Sequence, residues 1–250
     1  MAPWQLLILA LIGCLTGFIN VMAGGGSLLT MPVMVLMGMK GPVANGTNRV
    51  AILAQNITAV AGFFRQGFSD FKLSLTLSLC ALPGAVIGAW FGTKLQGVWF
   101  NRTLAAVMMV VMILMSMKKP KSAEDRTDKP LQPKRLIAAH ILMVAAGFYG
   151  GFIQAGVGFI MMTILHRILG LDLVRVNMHK VFIVGIYTIA ALAIFAIRGN
   201  VVWLPGCCLA AGNAIGGWFG SHIAVKKGER LIKIVFNTAL IVLAIKLLLK

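Results

Sequence analysis

Long apolar runs separated by short polar or glycine-containing stretches organise the chain from end to end. In order they cover roughly 4–22, 27–38, 49–64, 73–93, 102–117, 136–155, 157–169, 180–197, 201–221 and 231–249. Hydrophobicity within each run is continuous rather than alternating, which selects helices over the strands of a membrane barrel. A helix of about 20 residues rises about 30 Å and crosses a hydrocarbon core. The second and seventh runs are shorter than that and follow breaks containing glycine, so they predict short or half-length helices.

One polar stretch stands apart from this pattern. Residues 118–135, from Lys118-Lys119-Pro120 to Lys134-Arg135, read as a linker between a first half, 1–117, and a second half, 136–250. The halves repeat. Gly84-Ala85-Val86-Ile87-Gly88-Ala89-Trp90-Phe91-Gly92-Thr93 matches Gly212-Asn213-Ala214-Ile215-Gly216-Gly217-Trp218-Phe219-Gly220-Ser221 at six of ten positions, and Gly17-Phe18-Ile19-Asn20 pairs more weakly with Gly151-Phe152-Ile153-Gln154. Two matches in the same order imply a duplicated unit. Five runs per half is an odd number, so the second half enters the membrane in the opposite sense. The fold class expected is an all-α polytopic membrane protein built from two inverted repeats of about five segments each, with segments two and seven short.

Composition agrees with this reading. Of 250 residues 59% are apolar, and a soluble domain of this length could not hide them. The formal charge of +17, from 23 Lys and Arg against six acids, invites a nucleic-acid partner. Most basic residues sit in the short connections, however, where positive charge holds a loop on the cytoplasmic side. The lipid bilayer is therefore the expected partner and nucleic acid is not, and the linker is expected inside. Met1-Ala2-Pro3-Trp4 lacks the basic start of a secretory signal, so the first helix is expected to be retained. Cys14, Cys80, Cys207 and Cys208 lie in apolar runs without metal-ligand spacing and read as packing residues.

The chemistry concentrates at two kinds of place. In Asn20-Val21-Met22-Ala23-Gly24-Gly25-Gly26-Ser27, three glycines break the helix and expose the amino end of the next one, where N–H groups and partial positive charge suit an anion. Gln154, Gly156 and Gly158 hold the corresponding break in the second half. The glycines at 84, 88 and 92, and at 212, 216 and 220, instead recur every four residues and predict close helix packing. The second kind of place is the start of the third segment. Thr47 or Asn48 would cap that helix, with Arg49 in its first turn and Asn56 two turns on along the same face. His179 and Lys180, with Tyr187 two turns beyond, repeat the arrangement in the second half. A cation and a polar partner within each half suggest a binding site rather than snorkelling at a helix end.

Catalysis finds little support. Asp70, Glu124, Asp125, Asp128, Asp172 and Glu229 all fall outside the predicted spans, so no buried carboxylate pair or carboxylate-rich metal site is expected, and no cofactor. Of the four histidines only His179, beside Lys180, suggests a proton-linked role. Transport of a small anion is the reading, with a non-transporting assembly or structural factor as its rival; the pattern also leaves a homo-oligomer open.

The Gly24-Gly25-Gly26-Ser27 break followed by Pro32, the Gly46-Thr47-Asn48 stretch and the duplicated Gly-x-x-x-Gly-x-Trp-Phe-Gly element resemble the sulfite exporter TauE/SafE family over nearly the whole chain. The resemblance implies a bacterial inner-membrane permease for sulfite, sulfonates or related anions. Gly156-Val157-Gly158 in place of the triple glycine, and His179-Lys180 in place of Asn48-Arg49, imply that the two half-sites are not equivalent.

Overall fold

The computed structural model describes residues 3–116 and 132–224, with no strand among them. The helices are α1 (Pro3–Ala23), α2 (Ser27–Leu36), α3 (Gly41–Arg65), α4 (Phe71–Gly92), α5 (Gly97–Ser116), α6 (Pro133–Phe152), α7 (Val157–Thr163), α8 (Leu173–Ile197) and α9 (Trp203–Ala224). A π turn over Ile164–Ile168 continues α7. The run expected at 231–249 and most of the linker lie outside the described residues.

This is an all-α membrane protein. α1, α4, α6 and α8 are each long and apolar enough to cross a bilayer. Large apolar side chains such as Leu7, Leu11, Ile87, Ile141, Ile197 and Phe219 stand exposed, as a lipid-facing surface requires. α2, at 10 residues, and α7, at seven before its π turn, are short, as expected.

Two helix starts differ from expectation. α3 begins at Gly41 rather than near 49, because Pro42 occupies the first turn, where its missing N–H costs nothing. Thr47, Asn48 and Arg49 therefore lie inside the helix, and neither Thr47 nor Asn48 caps it. Thr47 Oγ1 instead accepts the N–H of Val202 at 3.0 Å, beside the start of α9. α8 begins at Leu173 rather than 180, since the Asp172 carboxylate accepts the N–H groups of Val174 and Arg175. His179 and Lys180 thus lie well within α8.

Glycine sets the closest helix pairs. A Cβ built on Gly84, Gly88 or Gly92 of α4 would lie 2.1, 2.0 or 2.3 Å from the carbonyl oxygens of Val144, Phe148 and Phe152 on α6. On α9 a Cβ at Gly212 or Gly216 would lie 1.9 or 2.0 Å from the oxygens of Ala10 and Cys14 on α1. The two Gly-Trp-Phe-Gly elements thus do the same work in opposite halves: each lets a fourth helix lie against the first helix of the other half.

The rising numbers within each pair make α1 parallel to α9, and α4 parallel to α6. α3 also runs with α9, through Thr47 to Val202, Thr58 to Ala214 and Gln66 to Ser221. α4 runs with α8, from the Ser74–His179 contact to Gly92 beside Phe195. α3 opposes α8, since Phe63 clusters with Met178 and Val181 while Gly46 faces Phe195.

Candidate functional site

The helix breaks meet at the centre of this arrangement. Gly24 adopts φ +83°, a left-handed conformation that favours glycine, and a Cβ there would lie 2.6 Å from the backbone of Gly158. In the second half Gln154 and Gly156 take φ +60° and +72°. The two breaks therefore touch backbone to backbone, where only glycine fits.

Each broken helix ends on carbonyls that carry partial negative charge, and of those met by the cations the Asn20 oxygen also accepts the N–H of Gly24 at 2.8 Å. A buried cation from the other half meets each end. Arg49 Nη2 donates to the carbonyl oxygens of Gly150, at 3.1 Å, and Gly151, in the last turn of α6. Lys180 Nζ donates to those of Asn20 and Val21, at 3.1 and 2.8 Å, in the last turn of α1. Arg49 also donates to Asn45 Oδ1 and Gln154 Oε1, and stacks 4.6 Å from the centroid of Phe195. Lys180 adds Asn177 Oδ1 at 2.7 Å. Both side chains are buried.

Beside Gly158 lies a small cavity lined by Asn20, Gln55, Asn56, Gln154, Val157, Gly158, Lys180, Val181 and Val184. The hydrogen bonds along its polar wall run in one sense. Gly26 N–H donates to Asn20 Oδ1 at 3.3 Å, Asn20 Nδ2 to Gln55 Oε1 at 2.9 Å, and Gln55 Nε2 to Asn56 Oδ1 at 3.3 Å. Asn56 Nδ2 then stands buried without a partner among the described residues. Across the cavity, Gln154 Oε1 accepts from Arg49 and from the Tyr187 hydroxyl, at 3.2 Å each. Arginine cannot accept, so the oxygen of that amide must face it and the nitrogen is left to point elsewhere.

Of the residues expected in a site, the fold brings Asn20, Asn56, Gln154, Gly158 and Lys180 together around this cavity. Arg49 and Tyr187 stand one shell behind it and reach it through Gln154. Gly26 reaches it through Asn20, whereas Gly24, Gly25 and Gly156 shape the breaks without lining it. Ser27 and Asn48 form a separate cluster with Thr30, in which Asn48 Nδ2 donates to Ser27 Oγ at 3.0 Å and Thr30 Oγ1 donates to Asn48 Oδ1 at 2.6 Å. Thr47 serves the start of α9. His179 lies apart, with Nδ1 2.8 Å from Ser74 Oγ. Gln55 was missed, although an amide inside an apolar run is itself a signal. Val157, Val181 and Val184 carried no such signal.

The described acids, Asp70 and Asp172, are used at helix starts. No group of three or more His, Cys, Asp or Glu among the described residues could hold a metal. All four cysteines are free.

A helical membrane protein with a buried polar cavity where two helix breaks meet has the layout of a transporter. The chain belongs to the sulfite exporter TauE/SafE family, whose model matches residues 9–247. It is similar to "Probable membrane transporter protein YfcA" of Escherichia coli strain K12, 28% identical over 250 residues, which cover 99% of this chain and 91% of that one. It is also similar to "Probable membrane transporter protein ORF9" of Sinorhizobium sp, 27% identical over 234 residues, covering 94% and 88%. A third relative, "Probable membrane transporter protein" of Haemophilus influenzae, is 25% identical over 228 residues, covering 91% and 88%. No solved structure matches.

Proposed function

We propose that the chain carries small anions, sulfite or an organic sulfonate among them, across a bacterial inner membrane through the cavity between the two breaks. One observation carries this reading: the cavity places a lysine beside side-chain amides, and the residues that line it include no acid. An ammonium group beside amide donors favours an anion. The halves, 1–117 and 136–250, act as inverted repeats around this site, with the linker in the cytoplasm. The opposed runs of α3 and α8 support that arrangement, and one half rocking against the other would open the site to either side.

Export is the favoured direction. A cytoplasm-negative potential contributes about 2.3 kcal/mol per elementary charge per 100 mV, so an anion leaves the cell downhill without a coupling carboxylate. In proteoliposomes holding the purified full chain, an imposed potential alone should drive sulfite toward the positive side. Absence of potential-driven flux for sulfite and for a panel of sulfonates would leave a non-transporting membrane factor as the better reading.

A further inference from the structure

We propose that Gln55 is the specificity-determining residue of this cavity, because it transmits a fixed hydrogen-bond polarity from the first helix break and makes the site select oxyanions that only accept. This rests on the anion reading above and narrows it to a chemical subclass.

The polarity is anchored at one end by a group that cannot reverse. A backbone N–H only donates, so Gly26 requires an oxygen at the Asn20 position it faces. Asn20 must then offer its nitrogen to Gln55, and Gln55 its nitrogen to Asn56. Every amide in the series is thereby oriented, and in the last, Asn56, which lines the cavity, the oxygen is turned to Gln55 and the N–H is left unpaired among the described residues. That nitrogen is buried and has no partner among the described residues, with Asn56 2% exposed. A buried donor left unmade is costly, so the site is built for an acceptor at that point. Aligned amides also polarise one another, which strengthens the final donor.

Lys180 contributes charge to the same wall, its ammonium hydrogens being directed at α1 and Asn177. The remaining wall is Gln154, whose oxygen already accepts from Arg49 and Tyr187, with Gly158 and the apolar side chains of Val157, Val181 and Val184. An anion whose far end carries its own N–H or O–H finds there no side-chain acceptor that is not already engaged. Methanesulfonate and sulfamate make the contrast cleanly: both are monoanions of similar size bearing three sulfonate oxygens, but one ends in a methyl group and the other in an amino group.

Gln55 is the member whose replacement can turn the polarity round. In Gln55→Glu the side chain has oxygens at both ends, so Asn56 must rotate to donate to it and present its own oxygen to the cavity. Asn20→Asp imposes the same reversal from one residue further back, through Gln55. Both variants add a negative charge that weakens every anion, so the informative quantity is the ratio of affinities for two ligands of equal charge.

The test is equilibrium binding of methanesulfonate and sulfamate to the purified full chain in detergent, with thermal unfolding to verify folding. The native chain should prefer methanesulfonate by about tenfold. The preference should invert in Gln55→Glu and in Asn20→Asp, and should fall toward unity in the neutral Gln55→Met. It should also stay near unity in Asn20→Asp combined with Gln55→Met, where the added charge remains but the amide series is cut. Binding of both anions with an unchanged ratio in the folded variants, or in Gln55→Met alone if the acidic variants do not fold, overturns the role of Gln55 and leaves anion transport standing. Failure of the native chain to bind or move any anion instead removes the reading on which the proposal rests.

Discussion

Arg49 and Lys180 hold matching places on α3 and α8 and meet matching targets, the last carbonyls of the other half's first helix, yet their surroundings differ. Arg49 is held by fixed protein through both terminal nitrogens, on two backbone carbonyls and the Asn45 and Gln154 amide oxygens, and by the Phe195 ring, while its Nε is buried without a partner among the described residues. Lys180 meets two carbonyls and Asn177, and also borders the cavity. The difference follows from the shape of the two cations. A planar fork with five donors suits a rigid junction of several oxygens, whereas a compact ammonium occupies little wall and leaves room for a ligand beside it. On the proposed reading the two positions divide the work, one clamping the joint between the helix breaks and the other charging the cavity.

The largest effect should come from breaking the clamp. Arg49→Ala strands the carbonyls of Gly150 and Gly151 and leaves Gln154 without its orienting donor, all in a buried setting. The cost of leaving such groups unpaired is about 3–5 kcal/mol, so the variant should lose most of its folded yield in detergent. Arg49→Lys should recover part of that yield, since a point charge reaches one or two of the oxygens but not all. A thermal midpoint in Arg49→Ala equal to that of the native chain would falsify the division of labour.

A smaller effect on stability, and a larger one on binding, should mark Lys180. Lys180→Met keeps a flexible stem of similar reach, so the helix ends lose a donor while the packing survives. Anion affinity should fall by about tenfold to a hundredfold, corresponding to loss of a hydrogen-bonded charge at the site. The comparison sharpens if anion-dependent thermal stabilisation disappears in Lys180→Met while the unliganded midpoint moves less than in Arg49→Lys. If the two variants instead lose stability and binding in equal proportion, the cations are interchangeable and the asymmetry has no functional meaning.

Sequence pattern exposed the parts of this molecule governed by lipid and by local spacing. Lipid demands helices, so the apolar runs located them, and a glycine every four residues at 84, 88 and 92 announced a close helix contact that the Val144, Phe148 and Phe152 carbonyls fill. The parts fixed by distant partners were hidden. Thr47 and Asn48 looked like residues that cap a helix, yet they sit inside α3, where Val202 and Ser27 meet them from elsewhere in the chain. Arg49 was identifiable as a buried cation, but its targets are backbone carbonyls, which no side-chain pattern records. Gln55 owes its importance to Asn20, 35 positions earlier, and to the direction of one backbone N–H. Pairing partners and polarity are properties of the fold, so a reading of local runs could find the cations without finding what they hold.

The smallest effect should belong to Tyr187, and it separates support from orientation. Its hydroxyl and Arg49 Nη1 both donate to Gln154 Oε1, each at 3.2 Å. If the two donors were equal partners, removing either would free the Gln154 amide to turn. They are unequal, because a hydroxyl can donate or accept and so tolerates either face of an amide, whereas a guanidinium tolerates only the oxygen. Arg49 alone therefore fixes which end of Gln154 faces the cavity, and Tyr187 merely adds a second bond to an atom already placed. Tyr187→Phe keeps the ring that packs with Val157 and Ile183 and deletes that bond. It should cost about 0.5–1.5 kcal/mol in thermal or denaturant unfolding and leave the affinity ratio between methanesulfonate and sulfamate unchanged. A shift of that ratio toward unity in Tyr187→Phe would mean that Arg49 does not by itself hold Gln154, and the clamp would then have to be described as a pair of residues rather than a single one.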